Sequence, residues 1–400
     1  MTEFEDIEKL IEKYIDRLLD ESTPEHPIWN QEIIRKGISS DWNYIDGCMI
    51  TAVLSLYEFE KDNKYLDFAD SYLGWYISEE GDIRTYDPEE KNLDNISMGR
   101  NLFPLYEYTG KEKYRKAMDL VRHQIDIQPR TESGSFWHKL IYPNQIWLDG
   151  LYMAEPFYIS YETKFRGMSG VRDVFKQFTN VEKFLKDPKT GLYYHGYDET
   201  RSMYWADPVS GCSSNFWLRA IGWMAAALVD TISLMSETMY FEMRKLENMY
   251  KSLIDAILPW QDESGMFWQI VNFPGEEGNY LETSGSALIA YSIAKAVRLG
   301  ILSDLYIDCA IRIFKGICRN YLSFGKDENG NEVPELGGIC LVAGLGGKTR
   351  RDGSRKYYYS EPVVSNDAKG VGPFLLAYIE LKRAGALKCG EANGLYDIRI

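Results

Sequence analysis

A short loop motif recurs three times along the chain and constrains the fold more than any other feature of the sequence. Each copy is a polar turn with a glycine, followed by a short aromatic run that ends in a polar side chain. The copies read ESGSFWH at 132–138, TGLYYH at 190–195 and ESGMFWQ at 263–269. Recurrence at equivalent points between helical segments is typical of folds built from repeated units. We therefore expect the helical segments to close into a ring, with these aromatic runs lying together around one of its two openings.

Apolar residues spaced three and four apart predict the helices between these loops. The predicted segments are 2–20, 46–62, 64–79, 92–109, 111–127, 146–165, 168–187, 214–236, 238–257, 283–299, 302–320 and 367–384. Segment 168–187 carries one apolar stripe and should lie outside, whereas 214–236 is apolar nearly all round and should be packed on every side. Short turns at 61–64 and 109–112 indicate antiparallel hairpins. Six such hairpins predict an all-α (α/α)6 barrel.

The late segment 321–366 is the longest stretch without a predicted helix. Because a loop of this length is uncommon without a function, we expect it to cover the mouth of the barrel. Its GLGGKT run at 344–349 is similar to a phosphate-binding loop, but the first glycine of that motif would fall on Val342, so we do not expect nucleotide binding. No Pro- or Ser-rich linker divides the chain, which predicts one domain over residues 1–400.

Charge and cysteine content narrow the class of partner. With 45 Lys and Arg against 60 Asp and Glu, the formal charge is −15, which argues against nucleic acid and anionic membranes as partners. The acidic start of the chain and the lack of a long apolar run indicate a cytoplasmic protein, as a monomer or homodimer. We expect no metal, cofactor or disulfide, because the six cysteines are scattered and include no CxxC pair. They are Cys48, Cys212, Cys309, Cys318, Cys340 and Cys389.

Two aspartates at helix starts are the candidate catalytic residues. Asp149 lies beside Trp147 before an apolar helix, where partial desolvation would raise its pKa and keep it protonated as a general acid. Asp94 has a similar position one hairpin earlier, and a second carboxylate is what proton transfer to a sugar requires. For both, a helix-capping role is the alternative. Asp41 and Asp46 are weaker candidates of the same kind.

Three further groups are candidates for substrate binding. His138 and His195 close two copies of the loop motif, which favours a shared mouth and hydrogen bonding to sugar or carboxylate oxygens. Arg219 interrupts an apolar helix; it either pairs with a core carboxylate or grips a substrate carboxylate. Trp217 and Trp223 have the shape to stack on sugar rings, although a core role is the commoner one for a single tryptophan.

Several motifs in a fixed order resemble those of the unsaturated rhamnogalacturonyl hydrolases of glycoside hydrolase family 105. The motifs are LDNISMGR around Asp94, NQIWLDGLYM around Asp149, YYHGYD around His195, FWLRAIGW around Arg219, and near the end ETSGSA and NDAKGVG. The resemblance extends from about Trp42 to Tyr378. Family 88, the unsaturated glucuronyl hydrolases, is related and stays an alternative.

The resemblance implies an (α/α)6 barrel and a metal-free reaction on oligosaccharides left by polysaccharide lyases. Asp149 would protonate C4 of the terminal 4,5-unsaturated uronate, and water would add at C5, with Asp94 as the second carboxylate. The resulting hemiketal opens and releases the neighbouring sugar, often rhamnose in this family. By the same match the pocket is lined by His138, Lys139, Trp147, His195, Arg219 and Trp223, together with Trp42 or Tyr44.

Other functions fit the same barrel, because a fold does not determine an activity. An inverting glycosidase would cleave intact glycosides and hold its two carboxyl groups roughly 6.5–9.5 Å apart. A sugar epimerase would leave the substrate mass unchanged, whereas hydration adds a water. A non-enzymatic carbohydrate-binding protein would show no turnover even with its carboxylates intact.

Overall fold

Fifteen α-helices account for most of the chain in a computed structural model that describes residues 3–327 and 329–387. Cys389 lies outside these ranges. The helices are α1 Glu3–Asp20, α2 Gln31–Lys36, α3 Tyr44–Glu60, α4 Asn63–Tyr76, α5 Asp94–Ser97, α6 Leu102–Thr109, α7 Glu112–Ile127, α8 Leu148–Phe165, α9 Val171–Leu185, α10 Leu218–Leu234, α11 Tyr240–Ile257, α12 Thr283–Arg298, α13 Ile307–Tyr321, α14 Arg355–Ser360 and α15 Ala368–Arg383.

Alternate helices form an inner and an outer ring, so the predicted (α/α)6 barrel is confirmed. The inner ring runs α3, α5–α6, α8, α10, α12 and α15, and α15 packs back against α3. The outer ring is α1, α4, α7, α9, α11 and α13. Helix α10 is buried from Leu218 to Ile232, whereas α9 buries one stripe, as their apolar patterns predict. Contacts such as Lys382 Nζ to Glu8 Oε1, at 2.8 Å, join α1 to α15 and close the ring.

Two predicted segments differ from the structure. The segment 92–109 is not one helix: α5 and α6 are separated by a 3-10 turn, Met98–Asn101. At this turn Gly99 packs closely against Val121 and Phe157, and a Cβ there would lie only 3.0 Å from the Val121 side chain. The late segment 321–366 contains α14 and short strands rather than loop alone.

Three two-stranded antiparallel ladders complete the secondary structure of the described residues. The strands are β1 Gln145–Trp147, β2 Gly196–Asp198, β3 Leu322–Lys326, β4 Glu332–Leu336, β5 Ile339–Cys340 and β6 Val363–Val364. β1 pairs with β2, β3 with β4 and β5 with β6. The first pair brings Trp147 opposite Gly196, directly at the start of an inner helix. None of the helices in the described part of the chain is long and apolar enough to cross a membrane.

The glycine of the recurring loop motif has a similar positive φ in all its copies, and the structure adds a copy that the sequence pattern did not reveal. Gly134, Gly191 and Gly265 have φ values of +90°, +75° and +94°, and Gly81 in the additional copy has +89°. Each glycine faces the next outer helix so closely that a Cβ atom would meet it; for Gly265 the nearest atom is the Arg312 carbonyl oxygen. The motif therefore fixes where each aromatic run meets the barrel.

The barrel has two mouths. The mouth at the carboxyl ends of the inner helices encloses a cavity of about 610 Å³, with Arg100, Asp230, Lys295, Arg298 and Glu380 in its wall. Predicted site residues such as Asp149 and Arg219 lie in the first turns of inner helices, at the opposite mouth. We call the two ends the carboxyl-end mouth and the amino-end mouth.

Candidate active site

One backbone hydrogen bond recurs at the start of three inner helices and places three charged side chains around the amino-end mouth. Leu93 N–H donates to His138 O, Leu148 N–H to His195 O, and Leu218 N–H to Gln269 O, at 3.1, 3.1 and 3.0 Å. The residues that follow these three leucines are Asp94, Asp149 and Arg219. The repeat thus gives equivalent positions to two carboxylates and one guanidinium, each beside the polar residue that closes a copy of the loop motif.

Asp149 forms the centre of the first cluster. Its Oδ2 lies 3.2 Å from His195 Nε2, and the His195 ring is fully buried. His195 Nδ1 lies 2.7 Å from the Tyr358 hydroxyl. If Tyr358 donates to Nδ1, a neutral His195 carries its proton on Nε2 and directs it at Asp149. The bond to Tyr358 thus orients the His195 ring, while Asp149 Oδ2 and His195 Nε2 have no well-formed hydrogen bond among the described residues.

The pKa of Asp149 is lowered, so the sequence-based expectation of a raised pKa is wrong for the free site. Burial does raise the pKa, as the sequence suggests, but His195 and the backbone N–H at the helix start act in the opposite direction and outweigh it. Asp149 is therefore ionised at neutral pH before substrate binds. The contact responsible is with His195, a residue distant in sequence.

Asp94 forms a second cluster with the two residues that close the first motif copy. Its Oδ2 lies 2.5 Å from Lys139 Nζ, and its Oδ1 lies 3.4 Å from His138 Nε2. Burial lowers the pKa of His138 to about 4, so the ring is neutral at neutral pH. The pKa of Lys139 is raised, because Asp94 outweighs its burial. Asp94 is thus held by the Lys139 ammonium, with the neutral His138 ring as its second neighbour.

Trp147 joins the two clusters. Its ring stacks on His138 with centroids 4.5 Å apart, and it meets His195 edge-on at 5.3 Å. Tyr142 covers its other side at 4.8 Å. The predicted shared mouth for the two histidines is therefore present, with the Trp147 ring between them.

Arg219 has the surroundings expected of a residue that binds an anion. It is 1% exposed, and within the described ranges it forms no salt bridge. Its Nη1 donates to the Cys340 carbonyl and lies 3.4 Å from Ser284 Oγ. Burial lowers the pKa of Arg219, but Cys340, Glu282 and Tyr44 raise it above its usual value. A buried guanidinium that lacks a carboxylate partner is costly unless a ligand provides one.

Tyr44 and Lys369 complete the mouth, and the sequence analysis missed Lys369. Burial raises the pKa of Tyr44 well above its usual value, with Glu32 and Asp94 acting in the same direction and Arg219 opposing. Lys369 is fully buried, with its Nζ 3.0 Å from Glu32 and 5.9 Å from the Tyr44 ring. The repeat would have located it, since Ala368 N–H donates to a backbone carbonyl as the three leucines do.

The other predicted tryptophans lie deeper. Trp217 contacts His195 at 4.7 Å and the Arg219 guanidinium at 4.8 Å, beneath the catalytic cluster. Trp223 packs against Tyr152 inside the barrel with the rings tilted by 31°, and Trp42 donates from Nε1 to a backbone carbonyl. All three are at most 2% exposed. For Trp217 and Trp223 this agrees with the core role that the sequence favours for a single tryptophan, whereas Trp42 is a residue that the family resemblance places in the pocket lining.

Asp46, a weaker candidate, stabilises the fold through buried hydrogen bonds and does not face the mouth. It is fully buried and accepts hydrogen bonds from Trp29, Asn30 and Asn43. Asp41, the other weaker candidate, is exposed and lies before α3. In the described part of the chain no group of three His, Cys, Asp or Glu side chains is arranged to hold a metal ion.

The late segment covers the amino-end mouth, in agreement with the prediction. Tyr358 from α14 contacts His195, Cys340 contacts Arg219, and Leu345 packs in a cluster with Trp147. Tyr358 was not among the predicted residues, because nothing in the sequence around it marks this contact.

Comparisons with known proteins agree on one group. The profile of Glycosyl Hydrolase Family 88 matches residues 14–384. A solved glycoside hydrolase from family 105 of C. acetobutylicum ATCC 824 is 42% identical, with 93% of this chain and 99% of that chain covered and a TM-score of 0.83. Protein Atu3128 of Agrobacterium fabrum is 38% identical over 57% of this chain and 97% of its own length. Unsaturated rhamnogalacturonyl hydrolase YesR of Bacillus subtilis is 25% identical over 67% of this chain and 75% of its own.

Proposed function

Because the chain belongs to the glycoside hydrolase family 88 group, with a family 105 enzyme among its relatives, we propose that it removes a terminal 4,5-unsaturated uronic acid from lyase-generated oligosaccharides. Fragments of rhamnogalacturonan type are the proposed substrates, since the relative YesR is named for that activity. The observation that carries the proposal is the Asp149–His195–Tyr358 cluster facing the mouth, together with an Arg219 that has no salt bridge to any carboxylate of the described residues.

In the proposed reaction Asp149 donates a proton to C4 of the C4=C5 double bond. The double bond is a vinyl ether, so protonation at C4 leaves an oxocarbenium ion at C5 that the ring oxygen stabilises. Water adds at C5 and returns its proton to the Asp149 carboxylate. The hemiketal opens to a ketone at C5, and the hemiacetal left at C1 breaks down and releases the neighbouring sugar. One water is consumed, and Asp149 regains its proton.

Substrate binding supplies what the free site lacks. Asp149 is ionised before substrate binds, because His195 lowers its pKa. The substrate carboxylate, bound next to it by Arg219, raises that pKa through like charge and through exclusion of water. Asp94, held by Lys139, is the second carboxylate and orients the sugar hydroxyls and the attacking water. The enzyme therefore becomes protonated at Asp149 as the complex forms.

The remaining parts of the proposal concern assembly and compartment. We place the enzyme in the cytoplasm, as a monomer or homodimer, acting without metal or cofactor. The five cysteines of the described ranges are unpaired, as is usual in a reducing compartment.

The test is direct, because the double bond conjugated to the carboxylate absorbs in the ultraviolet. Purified protein is incubated with unsaturated disaccharides of rhamnogalacturonan, glycosaminoglycan and ulvan type, with Asp149→Asn and Asp94→Asn beside it. We expect the absorbance to fall in the unmodified protein, fastest with the rhamnogalacturonan product. Preference for a glycosaminoglycan or ulvan product would move the substrate to the family 88 alternative. No loss with any product would overturn the hydration reaction, and intact glycosides would be assayed next.

A further inference from the structure

A basic run in the late segment has no part in the reaction described above. Residues 348–356 read KTRRDGSRK, in a chain whose formal charge is −15. The run follows the glycine-rich stretch that is similar to a phosphate-binding loop. It belongs to the segment that covers the amino-end mouth, so its positive charge lies where an acidic oligosaccharide would enter.

Arg351, one arginine of this run, packs on a glycine and lies beside the active site. The Arg351 guanidinium packs so closely on Gly344 that a Cβ there would lie 2.6 Å from its Nη1. Its Nη2 donates to the Tyr142 hydroxyl at 2.8 Å, and Tyr142 stacks on Trp147 at 4.8 Å. Since Trp147 contacts both His138 and His195, the basic run is joined to the catalytic clusters through two aromatic rings.

The cations of the run differ in their pairing. Arg355 is bound to Glu276 at 2.5 Å. Lys348, Arg350 and Lys356 are exposed, and within residues 3–327 and 329–387 none of the three forms a salt bridge. The Arg350 guanidinium stacks 4.8 Å from the Tyr204 ring, which orients it at the rim. Of the three, Lys348 and Arg350 follow Gly347, where a Cβ would lie 3.2 Å from the Tyr142 hydroxyl, so these two are the ones nearest the mouth along the chain.

We propose that Lys348 and Arg350 form a rim subsite for a second uronate carboxylate, located in the oligosaccharide beyond the sugar that is released. The inference rests on the proposed function. Arg219 is buried beside the catalytic cluster and takes the carboxylate of the reacting sugar, whereas Lys348 and Arg350 are in solvent and reach only a part of the substrate that projects from the mouth. An alternating polymer of uronate and neutral sugar places its next carboxylate there.

The rim subsite predicts a preference for longer acidic fragments. Exposed ion pairs each contribute little, so the two cations together should favour a tetrasaccharide with an internal uronate by about three- to tenfold in kcat/KM. Such a preference weakens as salt screens the charges, because the Debye length is ~10 Å at 0.1 M ionic strength. Contacts made by Arg219 inside the mouth are screened much less.

The experiment measures kcat/KM for an unsaturated disaccharide and for the unsaturated tetrasaccharide from the same lyase. It compares the unmodified protein with Lys348→Gln/Arg350→Gln and with the control Lys13→Gln/Lys245→Gln, which removes two exposed lysines from outer helices. We expect the ratio of tetrasaccharide to disaccharide kcat/KM to fall by about three- to tenfold in the rim variant and to stay constant in the control. A tetrasaccharide whose internal carboxylate is methyl-esterified should give the low ratio with the unmodified protein.

Equal ratios in the rim variant and the unmodified protein overturn the subsite, whatever the activity on the disaccharide. Failure of the proposed function is a separate result, since it is seen as no disaccharide turnover at all. In that case calorimetric titration of the same tetrasaccharide still tests the subsite. The rim subsite is supported if the rim variant binds the tetrasaccharide more weakly than the unmodified protein at low salt only. Equal binding by the two proteins overturns it.

Discussion

The two mouths of the barrel differ in how completely their charged groups are paired. At the carboxyl-end mouth Asp230 has a partner for each oxygen: Arg100 and Lys295 form salt bridges with it, and the Tyr291 hydroxyl donates to it. At the amino-end mouth Asp149 Oδ2 lies within 3.2 Å of His195 Nε2, yet it lacks a well-formed hydrogen bond among the described residues. The central carboxylate of the carboxyl-end mouth, Asp230, is thus fully paired, whereas that of the amino-end mouth, Asp149, is not.

This difference separates groups that hold the fold from groups that await a ligand. A buried charge with all its partners present is stabilised in place, and removal of one partner leaves the others costly. A charge with open hydrogen-bonding capacity is costly in the free protein and gains its partners when a ligand binds. Substitutions at the two ends should therefore change different properties.

Asp149→Asn is expected to have the largest effect of all. Asparagine keeps the shape of the side chain but cannot donate the proton to C4, so kcat should fall by about 10³-fold. The free energy of unfolding should change by about 1 kcal/mol or less, because the carboxylate has few partners to lose. Ultraviolet absorbance gives the rate, and urea unfolding gives the stability. A stable, fully active variant would contradict the role of Asp149.

Asp230→Asn should give the reverse result. Loss of the charge leaves Arg100 and Lys295, each 13% exposed, without their carboxylate, and we expect a loss of about 3 kcal/mol in the free energy of unfolding. Activity per folded molecule should be unchanged, because the reaction takes place at the other mouth. The matched control is Asp126→Asn, whose carboxylate is 53% exposed and whose loss should cost about 0.5 kcal/mol or less. Loss of activity without loss of stability would break the comparison.

The fold could be predicted from the sequence because its signals are local. The single apolar stripe of α9 indicates a helix packed on one side, and the all-round apolarity of α10 indicates a helix packed on every side. The repeated glycine turn marks where one hairpin ends and the next begins. The break between α5 and α6 was missed, since it depends on the contact of Gly99 with α7 and α8, which lie far along the chain.

The site was only partly predictable, for the same reason. Asp94 and Asp149 are recognisable from their place at helix starts, and the motif copies indicate His138 and His195. Tyr358 and the lowered pKa of Asp149 depend on tertiary contacts that no local pattern encodes. Lys369 is an intermediate case. It has no recognisable motif of its own, but an alignment of all the inner-helix starts would have identified its position.

Arg219→Lys tests whether the unpaired cation at the amino-end mouth binds the substrate carboxylate. Lysine keeps the charge but loses the planar fork, so we expect KM for the unsaturated disaccharide to rise about tenfold, which corresponds to about 1.4 kcal/mol. kcat should change much less, since the proton donor is untouched. A fall in kcat with an unchanged KM would assign Arg219 to the orientation of Asp149 instead.

Glu155→Gln should have the smallest effect, and it sharpens the comparison because Glu155 is buried behind the amino-end mouth, in a small cavity that it shares with His138 and Trp147. The side chain is fully buried in α8, and neither oxygen has a hydrogen-bond partner among the described residues. Burial raises the pKa of Glu155 well above its usual value of 4.5. Because the pKa of Glu155 is higher in the folded protein than in the unfolded chain, its contribution to stability is fully present below the unfolded pKa. That contribution is lost as the pH rises through the folded pKa.

Glutamine cannot ionise, so the variant should become more stable relative to the unmodified protein as pH increases, by on the order of 1 kcal/mol. Thermal unfolding from about pH 5 to about pH 9 measures this difference, and Glu12→Gln on the exposed face of α1 should show none. A difference that stays constant with pH would mean that Glu155 ionises normally. If the expected trend is found while kcat is unchanged, an unpaired carboxyl is not functional by itself; it must also face the mouth, as Asp149 does.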